Sequence, residues 1–139
     1  MTDIEIAKAN LVGHTLCLCR DGNCICDDAR GIKPMLRLIA SGASLTGYSA
    51  ADIVVGKAAA LLFVKCGIVA VYAQTLSAGG KQVLEAHGIP YAYETLTERI
   101  LNREGTDSCP MEKAVTEISD PEEGYQALVA QVKRMQAGR

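Results

Sequence analysis

Apolar and polar positions switch between two periods along this chain, and each switch marks an element. Thr2 with Glu5 three residues on forms a capping box, which predicts a first helix through about Leu11. Two strand-like runs follow, Thr15 to Cys19 and Cys24 to Cys26, around Asp21-Gly22, the dipeptide that suits a type I′ hairpin turn. Pro34 fits the first turn of a helix whose apolar positions Met35, Leu36, Leu38 and Ile39 run to a stop at Ser41-Gly42. A polar loop from Ser41 to Ser49 leads to an apolar helix opening at Val55-Gly56-Lys57-Ala58. Then come a strand from Ile68 to Gln74, a helix after Ser77, and a short strand around Ile89 to Tyr93. This latter half reads as βαβ, and a right-handed crossover makes its strands parallel, with the helix on one face. Leu96 to Asn102 is predicted helical and Arg103 to Ser108 a polar loop. Pro110 starts a short helix, and Asp120-Pro121-Glu122-Glu123 caps a last amphipathic one carrying Tyr125, Leu128, Val129 and Val132.

Two of these helix starts flank one strand. Each presents unpaired backbone N–H groups and a positive dipole end, so Val55 to Leu61 and Ser77 to Leu84 together suggest a shared anion or catalytic pocket.

Composition narrows the classes. With 139 residues and 49% hydrophobic content, and no Pro/Ser/Gly-rich divider, the chain is expected to form a single domain over 1–139, its C-terminal helices running from about 110–136. A net charge of −2, 4% aromatics and no Trp argue against a nucleic-acid groove, and the basic tail of Lys133, Arg134 and Arg139 reads as a solvated helix end. The acidic start Thr2-Asp3-Ile4-Glu5 precedes no signal-type apolar stretch, and the run Ala58 to Val64 is too short to span a bilayer. No membrane association is expected, and the cytoplasm is the expected location.

The element order, helix, antiparallel hairpin, then helix-strand-helix-strand, resembles the cytidine deaminase-like fold. Gly80-Lys81-Gln82-Val83-Leu84 is similar to the end of the second zinc motif of free-nucleoside deaminases. On that register Ser77 and Gly80 stand where the two cysteines would be, Val55 at the first ligand and Lys57 at the catalytic glutamate. None of the three zinc ligands is retained, so the resemblance implies no metal and no cofactor. A broader likeness, through the hairpin, Gly31-Ile32, Asp52 to Leu62, Asn102-Arg103 and Cys109-Pro110-Met111-Glu112, resembles the DUF1893 family, a zinc-free branch of that fold. It implies a three-layer α/β/α domain with a mixed sheet.

Candidate chemistry gathers at the helix starts. Lys57 between two positive helix ends is suited to clamp a phosphate or carboxylate, or to act as an amine nucleophile, and is equally readable as a solvent-facing helix lysine. Ser77, Gly79, Gly80 and Lys81 form a turn whose amides could cradle an anion, or simply a Ser-capped helix start. Asp52 and Gly56 precede Lys57, and Asn102 and Arg103 are expected to join the same pocket. Cys109, just before Pro110, lies at a helix start that favours a thiolate, and is the candidate nucleophile. Glu112, at the third helical position, would cap that helix and oppose the thiolate; it and Lys57 are the candidate acid/base groups. An inert cysteine in a capped helix start is the competing reading.

Cys17, Cys19, Cys24 and Cys26 share one face of the hairpin, Cys19 opposite Cys24 and Cys17 opposite Cys26. Leu16, Leu18 and Ile25 take the other, which predicts a hairpin buried between helix layers with cysteines as small hydrophobes. A four-thiolate zinc site is awkward on flat strands, and a cross-strand disulfide is disfavoured in a reducing compartment. Cys66, His14 and His87 have no partner legible in the sequence. The expected function is a zinc-free, deaminase-like domain that binds a small anionic or nucleotide-like metabolite, with cysteine-based catalysis if it is an enzyme. The alternative is a non-catalytic ligand sensor or scaffolding subunit, and either leaves room for a homodimer.

Overall fold

Asp21 and Gly22 adopt φ of 49° and 82°, the backbone a two-residue type I′ turn requires, and the chain reverses there between β1 (Leu16–Arg20) and β2 (Asn23–Asp27). The computed structural model describes residues 1–138; Arg139, the last member of the basic tail, lies outside the described residues. β1 pairs antiparallel on its other side with β3 (Ser49–Val55). β3 is followed by α3 (Lys57–Cys66), β4 (Ala70–Ser77), α4 (Ala78–Ala86) and β5 (Tyr91–Thr97), and these three strands are mutually parallel. The result is a five-stranded mixed sheet in the order β2-β1-β3-β4-β5.

The strands' two faces are covered unequally. α1 (Asp3–Asn10), closed at its start by the Thr2/Glu5 capping box, lies over β1, β3 and β4, where Ala7 and Leu11 pack on Cys19, Ala51 and Tyr72. The opposite face carries the larger core, with Leu18, Ala50 and Val71 beneath α3 and α4 and around Leu61, Phe63 and Leu84. α2 (Lys33–Ala40) packs beside α3, and α6 (Pro121–Ala137), capped by the Asp120 side chain, crosses it at Gly124, where an added Cβ would lie 3.0 Å from Leu61. α5 (Pro110–Ala114) completes six helices among the described residues. No helix of these residues is long and apolar enough to cross a membrane.

Three expectations need correction. β3, the central strand, stands where the sequence pattern suggested only loop and helix entry; Ala50-Ala51-Asp52 has little strand propensity and is held by pairing and burial on both faces. The stretch from Leu96 is not helical: β5 continues to Thr97, pairing with β4 as far as Ser77, and Leu101 then bridges Ser108. The hairpin is not enclosed between layers. β2 is an edge strand, so Cys17 and Cys19 are buried but Cys24 and Cys26 are exposed, and Cys19 and Cys24 are joined by a disulfide. Their rung holds the two Cα atoms 4.2 Å apart, the spacing of a pair without hydrogen bonds, which turns the side chains toward each other.

Candidate functional site

The start of α3 does bind an anion, and the chain supplies it. Gly56, the N-cap, has no side chain to offer, and the N–H groups of Lys57 and Ala58 donate instead to Glu112 Oε1 (2.7 Å) and Oε2 (2.8 Å). Glu112 therefore does not cap its own short helix; it reaches from α5 to close α3. Burial pushes its carboxyl above the ordinary value, while those two N–H bonds and the nearby Lys57 charge pull it back. Glycine at position 56 leaves room for this contact, since a Cβ would lie 2.1 Å from Glu112 Oε1 and displace that carboxylate. The Lys57 ammonium donates to the Thr116 carbonyl (3.0 Å).

The two helix starts meet. A Cβ on Gly80 would come within 2.9 Å of the Val55 carbonyl, and one on Gly79 within 3.4 Å of Lys57 Cβ, so glycine permits the close approach of α4 to the β3–α3 junction. The buried Ser77 Oγ accepts from Gly80 N–H (2.9 Å) as an ordinary N-cap. Lys81 is half-buried in the first turn of α4. Gly56, Lys57, Ser77, Gly79 and Gly80 are thus neighbours, with the Lys57 N–H and ammonium, the Ser77 hydroxyl and the Gly80 N–H each engaged within the chain. Catalytic zinc does not fit this place: Val55 is a fully buried aliphatic residue, Ser77 Oγ is used in capping and Gly80 has no side chain.

The open space lies beside that junction, off the carboxyl end of β3. An open cleft of about 590 Å³ is lined by Asp52, Ile53 and Val54, by Thr15 ahead of β1, by Arg30 and Gly31, by Ile100 to Glu104, by Cys109 to Met111, and by Met135 near the end of α6. Because β1 runs antiparallel to β3, its beginning abuts the end of β3, and Ile53 N–H donates to the Thr15 carbonyl (3.2 Å). Of the sequence candidates, Asp52, Asn102, Arg103 and Cys109 line this cavity, and the helix-start residues do not.

Asp52 is the unusual group. It is 8% exposed, with Oδ1 accepting from Val54 N–H (3.3 Å). Burial raises its carboxyl from the ordinary 3.8 to about 7, and the N–H groups of Val54 and Ile53 only partly oppose that. Cys109 is the N-cap of α5, its N–H bound to the Ile100 carbonyl (2.9 Å); α5 spans five residues, too few for a strong helix dipole. Asn102 is occupied in its own loop, its side chain accepting from Thr106 N–H (3.0 Å) and donating to Thr106 Oγ1 (3.2 Å). Lys113 and Asp107 pair across the same loop. Arg30 and Arg103 are exposed at the rim, Arg30 unforeseen from sequence because it comes from a segment far from the helix starts. The apolar wall of Ile53, Val54, Ile100, Leu101, Met111 and Met135 was equally hidden, being drawn from four separate segments.

Among known proteins, a family model described as a domain of unknown function, DUF1893, matches residues 8–132. The fold is also that of a crystal structure of a DUF1893 family protein from Thermotoga maritima, with a TM-score of 0.80 at 25% identity, over 88% of this chain and 83% of that one. No functionally curated protein matches the sequence. The family match runs from within α1 to within α6 and so takes in every strand and the whole cavity wall but Met135, which is to say that the chain belongs to the DUF1893 family.

Proposed function

We propose that this protein is a zinc-free relative of the deaminase-like fold that binds a small anionic or nucleotide-like metabolite in the cavity off β3. The observation that carries the reading is a buried, near-neutral Asp52 in a cavity of about 590 Å³ with two arginines at its rim. A volume of that order suits a small organic ligand. Arg30 and Arg103 would take its phosphate or carboxylate, the Ile100–Leu101 and Met111 wall its apolar body, and Asp52 a hydroxyl or amine. Lys57 and the Ser77 to Lys81 turn drop out of direct ligand contact on this reading, since Glu112 occupies the anion position they were expected to share.

If the protein is an enzyme, Cys109 is the nucleophile, and the acid/base role passes from Glu112 and Lys57, both engaged elsewhere, to Asp52. A carboxyl titrating near neutrality is suited to accept the thiol proton and return it to a leaving group. The test is a thermal-shift and calorimetric screen of nucleotides and sugar phosphates against wild type, Asp52→Asn and Arg103→Ala. Binding that both variants weaken supports the cavity; hits bound equally by all three place the ligand elsewhere.

A sensor or scaffolding role is favoured by a different observation. β5 ends the sheet with one edge unpaired among the described residues, and five of its seven residues are exposed. Long free edges are normally covered or charged, so β5 is where a second copy would pair. Lack of turnover together with a dimer in light scattering would select this reading.

A further inference from the structure

The hairpin carries a second chemistry, separate from the cavity. Cys17 and Cys26 stand opposite each other two residues along from the Cys19–Cys24 disulfide. Rungs of an antiparallel ladder alternate, so the Cys17–Cys26 rung is of the same non-hydrogen-bonded kind as the one already bridged, with its side chains turned together. Their environments differ. Cys26 is exposed on the edge strand, whereas Cys17 is buried beneath α1, its thiol donating to the Asn10 carbonyl (3.2 Å). Asn10 also sets its amide 3.5 Å from Cys24 Sγ, so one residue at the end of α1 touches both rungs.

We propose that Cys17 and Cys26 form a second, reversible dithiol–disulfide couple that reacts with a low-molecular-weight disulfide, Cys26 as the entry thiol and Cys17 as the resolving one. Cys26 loses its proton to water and its sulfur attacks the small disulfide. A bond from Cys26 to one small sulfur forms, the small S–S bond breaks, and the departing thiolate takes up a proton. Cys17 then attacks the Cys26 sulfur; the Cys17–Cys26 bond forms and the second small thiol leaves with the proton that Cys17 gives up. Two protein thiols are oxidised and one disulfide is reduced to two thiols. Burial, and then the facing Cys26 thiol, push Cys17 up to about 12, which makes resolution the slow step and one that quickens with pH.

The rung is placed to matter. Next to it Leu16 pairs with Asp27, and Thr15 Oγ1 donates to the carbonyls of Asp27 (2.9 Å) and Ala29 (2.7 Å), just before Arg30 at the cavity rim. Bridging the rung would add a covalent tie beside the base of the loop that carries Arg30, which these bonds already hold.

The test treats the full-length protein with oxidised glutathione, quenches in acid, alkylates the remaining thiols and maps peptides by mass spectrometry. The expected product has Cys17 linked to Cys26, preceded by a glutathione adduct on Cys26 that decays faster at higher pH. Cys17→Ser should stop at that adduct, and Cys26→Ser should give neither adduct nor link. Oxidation confined to Cys66, Cys109 or the Cys19–Cys24 pair in wild type would overturn the proposal, as would Cys17→Ser protein with no adduct on Cys26. The wild-type map decides the matter even if a serine at the buried position unfolds the hairpin.

Discussion

Replacing Asp52 by Asn should stabilise the protein at alkaline pH and leave it unchanged in acid. The native state holds the Asp52 proton up to about pH 7, while the unfolded chain releases it near 3.8, so between these values the native state binds more protons. Stability is therefore full below about pH 4, falls as pH rises through the window and levels off above about 7. A difference of about 3 pH units at 1.36 kcal/mol each gives about 4 kcal/mol, a large part of the 5–15 kcal/mol typical of a small domain. Asn has the same shape, keeps an oxygen for the Val54 N–H and has no charge to bury, so the variant should show none of this fall. Urea unfolding followed by circular dichroism at pH 4, 6 and 8 measures it: equal midpoints in acid, with the variant ahead at pH 8. Two parallel pH profiles, or a variant less stable than wild type at pH 8, would refute the account of Asp52 as a carboxyl kept neutral by burial.

Gly56→Ala should cost about 1–3 kcal/mol by displacing Glu112 from the α3 start, and much less in a Glu112→Ala background; equal costs in both would mean that the Glu112 contact is not the cause. Arg30→Ala with Arg103→Ala should weaken an anionic hit from the metabolite screen about ten- to a hundred-fold per lost charge-assisted bond, read by calorimetry, without shifting the unfolding midpoint by more than about 0.5 kcal/mol. In limited iodoacetamide labelling, exposed Cys26 and cavity-lining Cys109 should react before Cys17 and Cys66, both of which burial pushes upward; early loss of Cys17 would contradict its enclosure under α1.

What the sequence showed was local, and what it hid was assembled from afar. The Thr2/Glu5 box, the Asp21-Gly22 turn, and the helix starts at Pro34, Ser77 and Asp120 each depend on a few adjacent residues, and each forms where the pattern indicates. β3 was not legible because Ala-Ala-Asp gives neither alternation nor β-branched bulk until Ile53, and its strand character comes from being paired on both sides. Without β3, Asp52 read as a loop residue five positions before a lysine rather than as the middle residue of a central strand. The helix starts revealed a place but not its occupant, since the bonds from Lys57 and Ala58 to Glu112 span 55 and 54 residues of sequence. The cysteine register followed from the turn, but which strand became the edge depended on sheet order, which hairpin pattern alone does not encode.

Glu112 and Asp52 make the sharper case for where function resides. Asp52 is buried and Glu112 half-buried, and the loss of water raises both carboxyls. Glu112 accepts two short backbone bonds, lies near a lysine charge and closes a helix, so its burial is explained by structure alone. Asp52 receives weaker help, with its side-chain bond to Val54 N–H at 3.3 Å, closes no helix and borders the large cavity. An apolar residue or an asparagine would serve the strand as well or better, so packing does not account for an acid at that position. On the proposed reading, a carboxyl that titrates near neutrality because it is buried beside an open cavity would be accounted for by a ligand there, which makes Asp52, ahead of the helix starts, the residue whose replacement tests that proposal.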